Sequence, residues 1–106
     1  MNVEKLTESE EFVMRAIWDC KKEPILQDIV ERVNDVYKRN WAPQTVSTFM
    51  THLRRKNYII MHKKGKVCSY EVKVSKDEYR MRKLKELYMC LYGDDKGKII
   101  QDLEFL

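Results

Sequence analysis

Apolar residues along the chain keep a helical period in five stretches, and one strand-like stretch interrupts the series. The first helix is expected from Thr7, because Thr7-Glu8-Ser9-Glu10 has the capping-box spacing, with acidic residues at the positive end of the helix dipole. Val13, Ala16, Ile17 and Cys20 follow on one face, widened by Phe12, Met14 and Trp18. Pro24 blocks smooth continuation. A second helix is expected from Ile25 or Leu26 to Tyr37, with Leu26, Ile29, Val30, Val33 and Tyr37 on one face. Lys38 to Trp41 connects it to a third.

The third helix is expected over residues 43–56, with Pro43 at its favoured first position. At ~100° per residue, Val46, Phe49, Met50 and Leu53 form one narrow apolar stripe. Gln44, Thr48, Thr51 and Arg55 cluster on the opposite side, flanked by Thr45, Ser47, His52 and Arg54. That outer face carries amides, hydroxyls and guanidinium but no carboxylate, whereas an ordinary solvated helix face mixes acids with bases.

After Asn57 the period changes to two. Tyr58 to His62 and Val67 to Val72 read as strands, with Lys63-Lys64-Gly65-Lys66 as the turn and Gly65 available for positive φ. Ser75-Lys76-Asp77-Glu78 then reads as a second capping box, opening a helix that ends at Gly93. Leu84, Leu87, Tyr88 and Leu91 stripe this helix, together with Met81. A last helix from Asp94 or Asp95 carries Ile99, Ile100, Leu103 and Leu106. The expected class is mainly α with a small β-hairpin: residues 1–74 form three helices and a hairpin, and residues 75–106 a helical appendage.

Composition narrows the setting. With 106 residues and 43% of them apolar, one core can form without staples. The longest apolar run, Leu87 to Tyr92, is far short of the ~20 residues a bilayer requires, so no membrane insertion is expected. The stretch Met1 to Lys5 has no basic start followed by an apolar segment, as a leader peptide has. Cys20, Cys68 and Cys90 match neither a disulfide framework nor a metal-binding pair, which fits reduced thiols in the cytoplasm. No metal or other cofactor is expected.

The net charge of +4 is unremarkable, but its distribution is not. Residues 41–76 hold eight basic groups and one acid, Glu71, and no acid occurs from Trp41 to Tyr70. The rest of the chain is slightly negative. A basic segment that coincides with the polar helix and the hairpin has the form of an electrostatic footprint on nucleic acid.

Helix, helix, polar helix and basic hairpin follow the order of a winged helix-turn-helix, whose third helix lies in the DNA major groove. Gln44, Thr45, Ser47, Thr48, Thr51 and His52 are the candidate base readers, through amide, hydroxyl and imidazole groups. Arg54, Arg55, Lys63, Lys64 and Lys66 are the candidate phosphate contacts, giving affinity without sequence information. Each alone has a bland alternative: a lysine serves solubility, and His52 or His62 is a plain surface residue. An enzyme is not expected, since there is no Gly-rich phosphate loop and neither histidine has a catalytic constellation. The rival reading is a winged helix used for protein contacts. In the tail, Leu84, Leu87, Tyr88, Leu91, Ile99, Leu103 and Leu106 either cover one another across a dimer interface or pack back on the domain.

Three stretches also carry a family resemblance: Glu10 with Val13-Met14 and Ile17-Trp18-Asp19, then Trp41 to Leu53 with Lys56 and Ile59, and then Leu91-Tyr92-Gly93-Asp94. On these the chain resembles the penicillinase-repressor (BlaI/MecI type) family of bacterial transcriptional repressors, regulators of the antibiotic-resistance type. The resemblance implies a homodimeric repressor on a palindromic DNA operator, with residues from about 75 onward as the dimer interface. Family members often have basic residues where this chain has Gln44, Ser47 and His52, which shifts readout toward amides and hydroxyls. The last family helix is expected to be missing or shortened after Leu106. The resemblance also implies a regulatory protease acting near an Asn-Phe pair. The matching position here is Asp102-Leu103, so that motif is absent. Related copper-responsive (CopY type) repressors have a C-terminal cysteine cluster, of which this chain has only Cys90.

Overall fold

The computed structural model describes residues 3–106, so Met1 and Asn2, which open the stretch read for a leader peptide, lie outside the described residues. The chain forms α1 (Glu8–Asp19), α2 (Leu26–Asp35), α3 (Pro43–Arg55), β1 (Ile59–Lys64), β2 (Val67–Val72), α4 (Lys76–Leu91) and α5 (Lys96–Leu103). It divides into two compact units, one reaching to Ser75 and one from Lys76 onward.

In the first unit α1, α2 and α3 pack on one another, and the hairpin follows α3. The capping box of α1 is formed as its spacing predicts: the Glu10 amide donates to Thr7 Oγ1 at 3.2 Å, and the Thr7 amide to Glu10 Oε1 at 2.8 Å. Val13, Met14, Ala16 and Ile17 of α1 meet Ile29 and Val33 of α2 and Val46, Met50 and Leu53 of α3 in a core with almost no exposure. Tyr58, fully buried, closes that core where α3 gives way to β1. The Trp18 indole donates to the Val74 carbonyl at 3.0 Å, so the chain leaving the hairpin is tied back to α1.

Several boundaries differ from the sequence reading. Helix α2 stops at Asp35 rather than Tyr37. Its N-terminus is capped by Asp28, which accepts the Ile25 amide at 3.0 Å. Tyr37 instead donates its hydroxyl to Asp19 Oδ2 at 2.5 Å, and Lys38 takes a positive φ of 56°. The hairpin loop is only Gly65 and Lys66, since Lys64 pairs with Val67. A two-residue loop with glycine at its first position, φ 62°, suits the twist of the flanking strands. Lys63 and Lys64 are therefore strand residues that point to opposite faces. Beside β2, Ile25 forms an isolated antiparallel bridge with Ser69, and the Tyr70 amide donates to the Pro24 carbonyl at 3.0 Å. The link after α1 thus acts as a rudimentary third strand, which its single apolar residue did not announce.

In the second unit α4 ends at Leu91, two residues before Gly93, and Gly93 and Asp94 both take positive φ. Asp95 caps α5 by accepting the Lys98 amide at 3.0 Å. Tyr92 donates to Asp102 Oδ2 at 2.8 Å. Asp94 accepts the Tyr88 hydroxyl and pushes that phenol up to about 12. Leu106 lies past α5 and is 98% exposed.

Leu53→Ala removes a fully buried side chain from beneath α3. It is expected to cost about 2–5 kcal/mol of stability, read as a lower urea midpoint with an unchanged denaturant slope.

Candidate nucleic-acid interface

Helix α3 is set in place at both ends. At its start the Asn34 side chain grips the Trp41 backbone in both directions, accepting its amide at 2.9 Å and donating to its carbonyl at 3.0 Å. The Trp41 ring packs against Phe49 with centroids 5.1 Å apart, and Phe12 lies 6.5 Å from Trp41 and 6.0 Å from Tyr37. The guanidinium of Arg39 sits 4.6 Å above the Phe12 ring and that of Arg15 4.6 Å above Tyr37, a favourable cation–ring geometry. Pro43 follows as the first helical residue, as expected.

At the other end Asn57 takes a left-handed φ of 64°, which asparagine tolerates better than most residues, and the Tyr58 amide returns to the Leu53 carbonyl at 3.0 Å. Lys56 then reaches back to α1. Its ammonium lies 2.7 Å from Glu10 Oε1 and 2.8 Å from the Lys5 carbonyl. His52 Nδ1 is 3.3 Å from the second oxygen, Glu10 Oε2. Glu10 is 3% exposed, and it is the single buried charged residue among those described. Burial raises its pKa, but hydrogen bonds from Lys56 and Thr7 and the Lys56 charge outweigh that, and the carboxyl titrates below its ordinary range.

Glu10 is the residue beneath α3 whose contacts sequence reasoning read only as a cap. A signal was available, since Glu10, Val13 and Ile17 share one helical face and that face is the core. The same contact shows where His52 sits. It is on the flank of α3, engaged with Glu10 and edge-on to Phe49 with centroids 6.2 Å apart, rather than with the outward polar group.

Gln44, Thr45, Thr48, Thr51, Arg54 and Arg55 are exposed on α3, and Ser47 is half-buried. Thr48 Oγ1 donates to the Gln44 carbonyl and Thr51 Oγ1 to the Ser47 carbonyl, both at 3.1 Å. Their protons are thereby committed to the helix, so outward they offer lone pairs and methyl groups. A hydroxyl of this kind accepts from a base amino group, and its methyl meets a thymine methyl. Lys63, Lys64 and Lys66 are exposed around the hairpin tip. Among the described residues, no buried side-chain nitrogen or oxygen lacks a hydrogen-bond partner.

The model of the penicillinase repressor family matches residues 6–103 of this sequence. The chain belongs to the penicillinase repressor family. Membership makes it a DNA-binding transcriptional repressor and not an enzyme. The methicillin resistance regulatory protein MecI of Mammaliicoccus sciuri is 27% identical over 88 residues, which cover 83% of this chain and 69% of that protein. MecI of Staphylococcus aureus strain N315 is 26% identical over the same shares. The solution structure of the Bacillus licheniformis BlaI monomeric form in complex with the blaP half-operator has the same fold. It superposes with a TM-score of 0.60 at 22% identity, over 74% of this chain and 92% of that one. As in the sequence reading, the repressor is a winged helix-turn-helix with a two-strand hairpin. No helix of the described residues is long and apolar enough to cross a membrane.

Glu10→Gln keeps the cap but removes the charge that Lys56 faces. It is expected to destabilise the fold by about 1.5–3 kcal/mol at neutral pH. Because the folded carboxyl titrates below its ordinary 4.5, this contribution is whole above that value and is lost as pH falls through the lowered one. Urea melts of both proteins should therefore converge in acid.

Proposed function

We propose that this repressor works in the cytoplasm as a homodimer on a palindromic operator, each protomer laying α3 in the major groove and its hairpin on the phosphates. The observation that carries the reading is the division of α3 into two faces. Val46, Met50 and Leu53 are buried to 1% exposure or less, while the outward group bears no carboxylate. The half-operator in the BlaI complex supports the DNA partner, and a half-site is what one protomer of a two-fold assembly reads.

In this reading Gln44, Thr45, Ser47, Thr48 and Thr51 meet base edges. Gln44, in the first turn of α3, pairs an adenine edge through its amide. Arg54, Arg55, Lys63, Lys64 and Lys66 neutralise phosphates. His52 holds the flank of the helix against Glu10 and contributes to its pose more than to readout.

For the dimer, the support is the apolar surface that the second unit exposes by itself. Leu84 and Leu87 are each 42% exposed, Leu103 53% and Leu91 77%. Met81, Leu84, Tyr88, Ile99, Ile100 and Leu103 line one groove of about 640 Å³, with almost no polar atom facing it. Leaving such a surface in water is unfavourable, and a second copy is the occupant that the two-fold operator also demands. Control by a protease stays outside the proposal, because Asp102 and Leu103 close α5 as helix and Asp102 is engaged by Tyr92.

Selection of bound duplexes from random sequence tests the reading. A palindrome should emerge, and Gln44→Ala should relax preference at one position by about 1–3 kcal/mol. Lys64→Ala should instead weaken all sequences alike and reduce the salt slope by about one. Binding that ignores salt, or a selection profile untouched by Gln44→Ala, contradicts the assignment.

Leu84→Asp places a charge in the apolar groove. Sedimentation should show monomers for this variant where the parent chain gives dimers, and persistent dimers would place the interface elsewhere.

A further inference from the structure

Three chemically matched side chains from distant parts of the sequence meet on the outer face of the hairpin. His62 of β1 is paired with Ser69 of β2, and Glu71 lies two residues further along β2, so all three project from one face. His62 Nε2 is 2.6 Å from Glu71 Oε1. Glu23, in the link between α1 and α2, arrives at the same place, its Oε2 accepting the Ser69 hydroxyl at 3.0 Å. One donor atom from each of Glu23, His62 and Glu71 lies within 4.8 Å of the others.

The backbone holds this meeting together independently of the side chains. The Pro24 carbonyl accepts the Tyr70 amide and Ile25 bridges to Ser69, so the link that carries Glu23 is fastened to the strand that carries Glu71. The strand pairing in turn sets His62 against Ser69. Three segments therefore present their donors from a frame already made. Glu71 is also the one carboxylate between Trp41 and Lys76, so an acid placed there stands against the charge of its whole segment. Lys73 approaches only its far oxygen, at 3.9 Å, leaving the oxygen beside His62.

We propose that Glu23, His62 and Glu71 form a site for a borderline divalent cation of the Zn²⁺ type at the root of the wing. One imidazole with two carboxylates is a donor set that zinc accepts, whereas calcium and magnesium favour oxygen alone. Tetrahedral zinc with bonds of about 2.0–2.1 Å holds its donors roughly 3.3 Å apart. The three groups, within 4.8 Å of one another, stand near that spacing, and in the proposed site water completes the fourth position. The ion replaces the direct His62–Glu71 hydrogen bond and links both strands of the hairpin to the segment before α2. Metal occupancy thereby stiffens the element that carries Lys63, Lys64 and Lys66, although none of those lysines is a ligand.

The test is calorimetric titration of the full chain with ZnCl₂ after treatment with chelator, beside Glu23→Gln, His62→Gln, Glu71→Gln and Cys68→Ser. One equivalent should bind saturably to the parent chain. Each of the first three variants should weaken binding by at least ~10-fold, while Cys68→Ser leaves it unchanged. In the parent chain the His62 ring nitrogen resonances should shift with zinc, a readout that does not depend on any variant folding. Absence of saturable binding at millimolar zinc, binding that survives in all three ligand variants, or loss of binding in Cys68→Ser overturns the proposal.

Discussion

The outward chemistry of α3 depends on how the helix is held from beneath. Val46, Met50 and Leu53 are sealed against α1 and α2, which orients the helix about its own axis and sends Gln44, Thr48, Thr51 and Arg55 outward. Apolar burial has no direction, however, and a stripe of three residues tolerates sliding along the axis. The buried carboxylate of Glu10 supplies the direction. It accepts from the first turn of α1 on one side and faces Lys56 and His52 at the far end of α3 on the other. Removing one partner would strand a buried charge, so this contact favours a single register of α3 on α1.

The start of α3 is held by different means. Asn34 imitates a backbone partner for Trp41, and the rings of Phe12, Tyr37, Trp41 and Phe49 form a half-buried cluster topped by two guanidinium groups. The helix is thus pinned by amide geometry and ring stacking at one end and by charge at the other. The base-reading role proposed for α3 calls for both, because base discrimination depends on placing donors to within a fraction of an ångström. In the proposed complex the hairpin adds a second, looser contact, whose lysines act through charge and need less accurate placement.

The second unit follows another logic. Two tyrosine–aspartate hydrogen bonds lock the corner between α4 and α5, while most of the apolar surface of the two helices stays in water. By themselves α4 and α5 leave both stripes largely uncovered, and the second copy of the proposed dimer is what would cover them.

Most of the architecture was legible in the sequence because it rests on local physics. The capping box at Thr7, Pro43 at the start of α3, the period change after Asn57 and Gly65 in the turn each act within a few residues. The polar face of α3 and the run without acids were legible for the same reason, since helical period alone sorts them. What the sequence could not disclose is whatever depends on residues that meet only after folding. Glu10 read as a cap, and its second life as the anchor of Lys56 and His52 required α1 and α3 to cross. Glu23, His62 and Glu71 have no motif spacing at all, and the pairing of β2 with both β1 and the Pro24–Ile25 link brings them together. Local period and capping chemistry chose the elements and their outward faces. Tertiary packing chose which charges meet, because a charge pair depends on separation in space, and separation along the chain says little about it.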